Sequence, residues 1–193
     1  YRSNFNGLAL VKIRPSETVK YKYVLYVYAL APGKVTRKVL YEDNREFKSW
    51  IYRYKDNMLL SEKYYKDKVL EEENYFDPLK HKVKQVVFQK GKKIKTSTFT
   101  YNKDGLVDSE ESRNELTQAV TFVKYRYDSG FRIKQIQKNY PDGRKVFWEA
   151  FFNKKGIVEK EFYTLNNERY AFWYNEFGQE TKSEIRELAA VSG

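Results

Sequence analysis

The chain has 193 residues, of which 41% are hydrophobic and 33% charged, and its aromatic residues include 18 Tyr and 13 Phe. This length suits one domain with a core, and the aromatic content argues against disorder, because disordered chains are poor in aromatic residues. The absence of cysteine excludes disulfides and thiolate metal sites, and it fits a cytosolic protein and an exported bacterial one equally. No apolar run approaches the roughly 20 residues of a membrane-spanning helix.

The net charge of +11 lies in the first half of the chain. Residues 1–100 hold 22 Lys and Arg against 11 Asp and Glu, whereas residues 101–193 hold 15 of each. Such an asymmetry indicates a polyanionic neighbour, whether nucleic acid, anionic lipid or acidic glycan.

Residues 1–20 do not fit the pattern of the rest of the chain and are predicted to form an N-terminal edge or cap. A repeat then runs from residue 21 to residue 180, in which short aromatic stretches enter turns at seven anchors. The anchors are Tyr28, Tyr54, Phe76, Tyr101, Tyr127, Phe152 and Tyr174. Their successive gaps of 26, 22, 25, 26, 25 and 22 residues indicate a repeat architecture.

Each repeat reads as a β-hairpin. Two aromatic residues two positions apart lie on the same face of a strand, as in Tyr125 and Tyr127. A turn follows, in which Asp128 bonds its own backbone and Gly130 is expected to supply a positive φ.

A second turn lies between anchors, most clearly at 141–143 and also at Asn44, Gly91, Asn114 and 166–167. The sequence therefore predicts an all-β fold of tandem β-hairpin repeats with a period of about 24 residues, forming one large antiparallel meander sheet of about 13 to 15 strands. Two arrangements remain open. The sheet either curves over a core, which we favour, or exposes both faces partly to water and is held by cross-strand pairs. Residues 181–193 are predicted to form a short helix or flexible tail, with a helix over 181–190 capped by Ser183.

The motif Tyr125, Tyr127, Asp128, Gly130 and the later Asp142, Gly143 resemble the tyrosine-aspartate (YD) repeats of bacterial Rhs proteins and teneurins. The resemblance is good over residues 95–180 and weaker over 20–94. More distantly, the chain resembles MORN-type antitoxin-like repeats. The resemblance implies an extended β scaffold, exported or at the cell surface, that binds partners and performs no chemistry.

Residues suited to catalysis are scarce. His81 is the only histidine, and no Gly-rich phosphate loop is present. Glu159 and Glu161 would lie on one strand face roughly 7 Å apart, which is compatible with paired acid and base carboxylates but more typical of a solvated charged row. The run 71–73 of three glutamates is a poor metal site, because alternate residues face opposite ways. We predict no enzyme activity, catalytic residue, metal or cofactor.

Seven lysines fall within residues 80–95, where there is no acidic residue, and form the lysine-rich segment. They are Lys80, Lys82, Lys84, Lys90, Lys92, Lys93 and Lys95. On a strand, Lys80, Lys82 and Lys84 would share one face, and three others crowd around Gly91. The segment suits salt-dependent binding of a polyanion or acidic glycan, or it protects a sheet edge from aggregation.

The tryptophans Trp50, Trp148 and Trp173 are candidate aromatic surface residues. An exposed cluster among them would favour a glycan or peptide surface. Together these patterns predict a non-enzymatic, exported bacterial scaffold that binds a protein partner through its sheet face or edge. Polyanion or glycan binding through the lysine-rich segment is the alternative.

Overall fold

The structure is a computed structural model that describes residues 1–4, 6–7, 9–165 and 168–187. The chain divides into two compact units, Tyr1–Ser97 and Thr98–Gly193, and the division falls inside strand β9. A 3₁₀ helix spans Pro15–Lys20. The strands that begin in the first unit are β1 (Arg2–Ser3), β2 (Ala9–Val11), β3 (Tyr23–Ala31), β4 (Lys34–Glu42), β5 (Arg45–Lys55), β6 (Met58–Lys66), β7 (Val69–Phe76), β8 (Lys82–Gln89) and β9 (Lys92–Tyr101). Those that follow in the second unit are β10 (Val107–Asn114), β11 (Val120–Tyr127), β12 (Ile133–Asn139), β13 (Lys145–Phe152), β14 (Val158–Leu165), β15 (Glu168–Tyr174) and β16 (Glu180–Glu187).

Within each unit, strands that follow one another along the chain are antiparallel neighbours. In the first unit each strand from β3 to β7 pairs with the next, and β1 pairs with both β3 and β2. In the second unit each strand from β10 to β15 pairs with the next. The predicted all-β class and hairpin meander are confirmed, while the predicted curvature stays a prediction.

Five of the seven aromatic anchors are the last residues of their strands, whereas Tyr28 and Tyr54 lie inside β3 and β5. Phe76, Tyr101, Tyr127, Phe152 and Tyr174 are the last residues of β7, β9, β11, β13 and β15. The pairing register shifts immediately before Phe76, Tyr127, Phe152 and Tyr174. Such an irregularity strengthens the local twist and ends regular pairing, which explains why an aromatic residue and a turn recur together.

Four loops of the second unit close in the same way, around an Asn or Asp that follows the anchor. Asn153 shows the pattern: its N–H donates to the Ile157 carbonyl (2.9 Å), and its Oδ1 accepts the N–H groups of Lys155 (2.9 Å) and Ile157 (3.0 Å). The equivalent residues are Asn102, Asp128 and Asn175. These side chains replace the backbone partners that a longer strand would have provided.

The prediction that Gly130 supplies the positive φ is wrong. In these loops the residue with a left-handed backbone conformation lies three positions after the Asn or Asp, as Gly105, Gly156 and Gly178 do. In the loop that begins at Asp128, this residue is Phe131, with φ +61°. Gly130 comes one position too early. The loop therefore carries a phenylalanine in a backbone conformation that favours glycine.

The loop at Asp77 in the first unit follows the same pattern, since the His81 N–H donates to Asp77 Oδ1 (2.8 Å) and Lys80 has φ +68°. Four other hairpins of the first unit close differently, with two central residues that both have positive φ. These pairs are Asp43–Asn44, Asp56–Asn57, Asp67–Lys68 and Lys90–Gly91. Positive φ at both positions defines the type I′ turn, whose twist matches that of the flanking strands. The turns predicted at Asn44 and Gly91 are found there, whereas 166–167 lies outside the described residues.

The two ends of the chain both contain strands. The N-terminal segment, residues 1–20, adds β1 beside β3 and β2 beside β1. At the other end the helix predicted over 181–190 is wrong for residues 181–187, which belong to β16, and Ser183 caps no helix there. The reason is pairing: Ile185 lies opposite Tyr170 and Lys182 opposite Trp173, so the segment completes the last hairpin. Residues 188–193 lie outside the described part.

Deep burial is confined to few residues. In the first unit Leu25 and Leu40, paired on one face, and Val39 on the other are at most 1% exposed. The N-terminal segment reaches both faces, since Gly7 lies against Trp50, whereas Thr18 lies with Val24 and Tyr41. In the second unit the buried apolar residues are Val146, Ala150 and Ala171. Within each unit, both faces of the strands therefore remain partly exposed to water.

Candidate binding surfaces

The lysine-rich segment is only partly the stripe that the sequence predicts. Lys80 occupies a loop position with φ +68° and β8 begins at Lys82, so only Lys82 and Lys84 alternate on that strand. The Lys84 ammonium lies 5.4 Å from the Tyr75 ring centroid. Lys90 forms the turn with Gly91, and the lysines around this hairpin tip are exposed. The exposed members of the segment are Lys80, Lys90, Lys92, Lys93 and Lys95.

The three tryptophans are half-buried and do not form one cluster. Trp50 packs against Tyr64 with ring centroids 5.5 Å apart. Trp148 donates a hydrogen bond from Nε1 to Glu161 Oε2 (2.9 Å). Trp173 lies between Lys160 and Lys182, each ammonium 4.7 Å from its ring centroid. Because Trp148 and Trp173 lie on opposite faces of the second unit, they form no common surface.

Glu161 has a structural role rather than belonging to a solvated row. Besides the Trp148 indole, the Tyr174 hydroxyl donates a hydrogen bond to Glu161 Oε1. Desolvation, followed by this hydrogen bond, raises the pKa of Tyr174 to about 12. Glu159, by contrast, is exposed. The two carboxylates therefore have different surroundings, and Glu161 ties β13 to β15 across β14.

The remaining titratable candidates also make local contacts. Glu72 accepts a hydrogen bond from Asn74, whereas Glu73 forms an ion pair with Lys63 (3.4 Å). His81 lies in a loop, with Nδ1 3.1 Å from Asp77 Oδ2. Desolvation opposes ionisation of Asp77, but the hydrogen bonds from the His81 backbone and side chain together lower the pKa of Asp77. In the described part of the chain, no three His, Asp or Glu residues are grouped so that they could hold a metal ion.

One face of the second unit concentrates positive charge, and we call it the basic face. Residues paired directly across antiparallel strands share a face, and alternate residues of a strand share it too. The register can be followed from strand to strand, through the pairs Lys124–Gln137 and Gln137–Phe147 and onward to β16. It places eight lysines and arginines on this face. They are Arg113, Lys124, Arg126, Lys145, Lys160, Arg169, Lys182 and Arg186. The same face carries only three carboxylates, Glu111, Glu149 and Glu184, among its paired residues.

Aromatic rings order several of these cations. The row Phe151, Lys160, Trp173, Lys182 alternates ring and ammonium across four strands. Phe162 lies below two cations, with the Arg169 guanidinium 3.8 Å and the Lys160 ammonium 4.6 Å from its centroid. Such contacts stabilise a cation by about 0.5 to 1 kcal/mol at exposed sites. They also hold the charged groups along the sheet surface.

The opposite face of the second unit, the acidic face, has the reverse character. Its paired residues include four glutamates and one lysine, namely Glu110, Glu161, Glu168, Glu187 and Lys138. The buried Val146 and Ala150 lie on this face, as does the ring pair Tyr163–Tyr170 with centroids 6.4 Å apart. The second half of the sequence is thus near neutral in total, but its positive and negative charges are separated between two faces.

Charges counted along the chain do not reveal the basic face. The alternation of Lys124 with Arg126, and of Lys182 with Arg186 around Glu184, was visible in the sequence. Which strand faces coincide was not, because this depends on the register of every pair, and a slip of one residue moves a side chain to the other face.

Beside Lys124 and Arg126 the basic face is indented. A hollow of about 240 Å³ is lined by these two cations together with Gln135, Gln137 and Phe147. Lys124 and Arg126 are both exposed. The hollow therefore offers two cations and two side-chain amides around one aromatic ring.

Comparison with known proteins gives limited similarity. No family model matches the chain, and no curated protein matches it. A solved structure described as a crystal structure of TcdB2-TccC3 is 12% identical over 89% of this chain and 13% of its own chain, with a TM-score of 0.35. A second, described as TcdB2-TccC3-TEV, is 8% identical over 83% of this chain and 14% of its own, with a TM-score of 0.19.

This chain therefore spans a small part of the length of either structure. None of the helices that the structure describes is long and apolar enough to cross a membrane. The resemblance to tyrosine-aspartate repeats stays a prediction from the motif.

Proposed function

We propose that this chain is a non-catalytic β-repeat scaffold, part of an exported bacterial protein, that binds an acidic protein partner through the basic face of its second unit. Export and the bacterial source follow the resemblance to tyrosine-aspartate repeats. The observation that carries the proposal is the separation of charge between the two faces, with eight cations on one and mainly carboxylates on the other.

The composition of the basic face favours a protein partner. Protein interfaces are enriched in aromatic residues and arginine, and the residues that dominate binding energy are often Trp, Tyr and Arg. Here four arginines share a face with Phe147, Phe151, Phe162 and Trp173. Because these cations are already held against aromatic rings, their side chains lose little conformational entropy on binding, which favours affinity.

The face is a better candidate than the sheet edge. Within the described residues β16 pairs with β15 alone, so it presents an edge to which another strand could add. Lys182, Glu184 and Arg186 place charges along this strand. Charged side chains on an edge are a usual protection against strand addition.

Binding of a polyanion by the lysine-rich segment is the second candidate function. Its support is the exposed hairpin tip, where Lys90, Lys92 and Lys93 adjoin Gly91. No acidic residue occurs between residues 80 and 95. Heparin and DNA are suitable probes for this candidate, and their retention should fall steeply with salt.

The two candidates are separated by charge-reversal variants that change the net charge equally. Lys124→Glu with Arg126→Glu alters the basic face, and Lys92→Glu with Lys93→Glu alters the hairpin tip. All four residues are exposed, so both variants should fold, which circular dichroism checks. Poly-L-glutamate serves as the acidic polypeptide probe in about 10 mM salt, where the Debye length is about 30 Å.

We expect the basic-face variant to bind poly-L-glutamate about tenfold more weakly, while the tip variant changes affinity much less. The reverse order would contradict the proposal and favour the lysine-rich segment. Absence of binding by the unaltered protein would contradict both candidates. Loss of heparin retention at about 150 mM salt would eliminate the polyanion candidate alone.

A further inference from the structure

A pocket of about 270 Å³ lies in the first unit, and none of its lining residues belongs to the lysine-rich segment or to the basic face. It lies between the N-terminal segment, at Asn6, and one face of strands β5, β6 and β7. The pairs Trp50–Tyr64, Tyr64–Glu72 and Glu62–Asn74 bring the lining residues onto this face. The pocket is thus built by register and by the returning N-terminal segment together.

Two aromatic rings form one wall of the pocket. The rings of Trp50 and Tyr64 are inclined at 34° with centroids 5.5 Å apart. Gly7 lies directly over the indole, because a Cβ added there would come within 2.6 Å of Trp50 Cη2. Gly7 also has φ +77°, which a side chain would disfavour. A glycine at position 7 therefore allows the N-terminal segment to approach the indole closely.

The rest of the pocket is lined by Glu62, Glu72 and Asn74, together with Lys48 and Asn6. Asn74 is only 7% exposed, and its Nδ2 donates to Glu72 Oε1 (2.6 Å). That bond fixes the orientation of the amide, since a flipped amide would set Oδ1 against a carboxylate. Asn74 Oδ1 finds no hydrogen-bond partner among the residues that the structure describes. A buried carbonyl oxygen without a donor is unfavourable by about 1 to 3 kcal/mol, so a donor that reached Asn74 Oδ1 would be stabilised there.

The residues that line the pocket carry a net negative charge. Glu62 and Glu72 contribute two carboxylates, and Lys48 contributes one cation. The Lys48 ammonium lies 5.1 Å from the Phe47 ring centroid, and Lys48 pairs across the sheet with Lys66. Burial, followed by repulsion from Lys66, lowers the pKa of Lys48. The carboxylates of Glu62 and Glu72 therefore lie beside the aromatic wall, and Lys48 is the one cation among the lining residues.

We propose that this pocket binds a small organic cation bearing a guanidinium group, stacked on Trp50 and Tyr64 and donating hydrogen bonds to Glu72 and Asn74. A guanidinium is planar, carries several N–H donors and stacks on aromatic faces, which neither an ammonium nor a metal ion does. The volume suits one such group with a short alkyl chain. This site is separate from the basic face, and its test is independent of the proposed function.

The test uses the tryptophan indole N–H signals in NMR spectra of the whole chain. The signal of Trp50 is identified by its loss in Trp50→Phe, and those of Trp148 and Trp173 serve as internal controls. Ethylguanidinium chloride is the probe, and N-ethylurea is the neutral compound of nearly the same shape. We expect a saturable shift of the Trp50 signal alone, with ethylguanidinium and not with N-ethylurea.

A matched pair of variants locates the binding group. Glu72→Gln should weaken ethylguanidinium binding about tenfold. Glu73→Gln removes the same charge one residue away, on the opposite face beside Lys63, and should leave affinity unchanged. Equal weakening by both variants, an equal response to N-ethylurea, or a Trp50 signal that does not move would each overturn the proposal, the last indicating that the pocket holds water only.

Discussion

The two units fold the same hairpin repeat with different local chemistry. In the first unit, four turns close through two residues with positive φ, as at Asp43–Asn44 and Asp56–Asn57, whereas the loop at Asp77 closes through a side chain. In the second unit, turns close through a side chain, as at Asn153 and Asn175. Asparagine therefore has two roles in one repeat: it tolerates a left-handed backbone in the first unit and supplies an acceptor oxygen in the second.

The units also differ in the contacts that stabilise the two faces of their strands. The first unit has the deeply buried pair Leu25–Leu40 on one face and the buried Val24 and Val39 on the other, and its N-terminal segment reaches both faces. The second unit has no such segment among its described residues and buries smaller side chains, such as Ala150 and Ala171. It relies on cross-strand ring, cation and carboxylate contacts. A hairpin repeat can thus be stabilised by a buried apolar core or by cross-strand contacts between partly exposed side chains.

The largest expected effect lies in the core of the first unit. Leu40 is fully buried, so Leu40→Ala should lower the free energy of unfolding by about 2 to 5 kcal/mol in urea. Ile136→Ala removes as many carbon atoms from a half-buried position of the second unit and should have roughly half that effect. Equal losses would contradict the contrast in core burial.

The second expected effect concerns the two roles of asparagine. Asn175 Oδ1 accepts the N–H groups of Phe177 and Gln179, both at 3.0 Å. Asn175→Gly should therefore lower the free energy of unfolding by about 1 to 2 kcal/mol. Asn44→Gly should leave stability nearly unchanged, because Asn44 has φ +64° and glycine adopts this conformation freely. Equal losses in urea unfolding would show that both turns depend on the side chain.

A smaller effect should be seen at the left-handed loop position. Phe131 has φ +61° and is 62% exposed, so Phe131→Gly removes strain with little loss of contact. We expect a gain of about 1 kcal/mol, and a loss of similar size for Gly178→Ala, where φ is +76°. Thermal unfolding followed by circular dichroism measures both changes. Changes of the same sign would contradict the equivalence of the two loops.

The smallest expected effect is a pH dependence specific to the second unit. Tyr174 has an ordinary pKa of 10.0, which desolvation and the bond to Glu161 raise to about 12. The neutral phenol is thus favoured in the folded state. Its contribution to stability is complete below pH 10 and is lost as the pH rises through about 12.

Tyr174→Phe is the control for this dependence. The difference in unfolding free energy between the unaltered protein and this variant should shrink between pH 10 and pH 12. A difference that is constant over this interval would show that Glu161 does not hold the phenol in its neutral form.

Features encoded by neighbouring residues could be predicted from the sequence. The anchors, the Asn or Asp after them and the antiparallel meander all follow from local spacing. Features that depend on register or on distant segments could not. The strand at 180–187 forms because β15 offers a partner, and the pocket at Trp50 exists because Gly7 returns to β5. The basic face likewise requires the register of six successive strand pairs.

The most direct test of the account is a lysine acetylation footprint read by mass spectrometry, with and without poly-L-glutamate. Lys124, Lys160 and Lys182 lie on the basic face, whereas Lys138 lies on the opposite face of the same unit. The account predicts that poly-L-glutamate slows acetylation of the first three and leaves Lys138 unchanged. Equal protection of Lys138, or no protection of the other three, would contradict it.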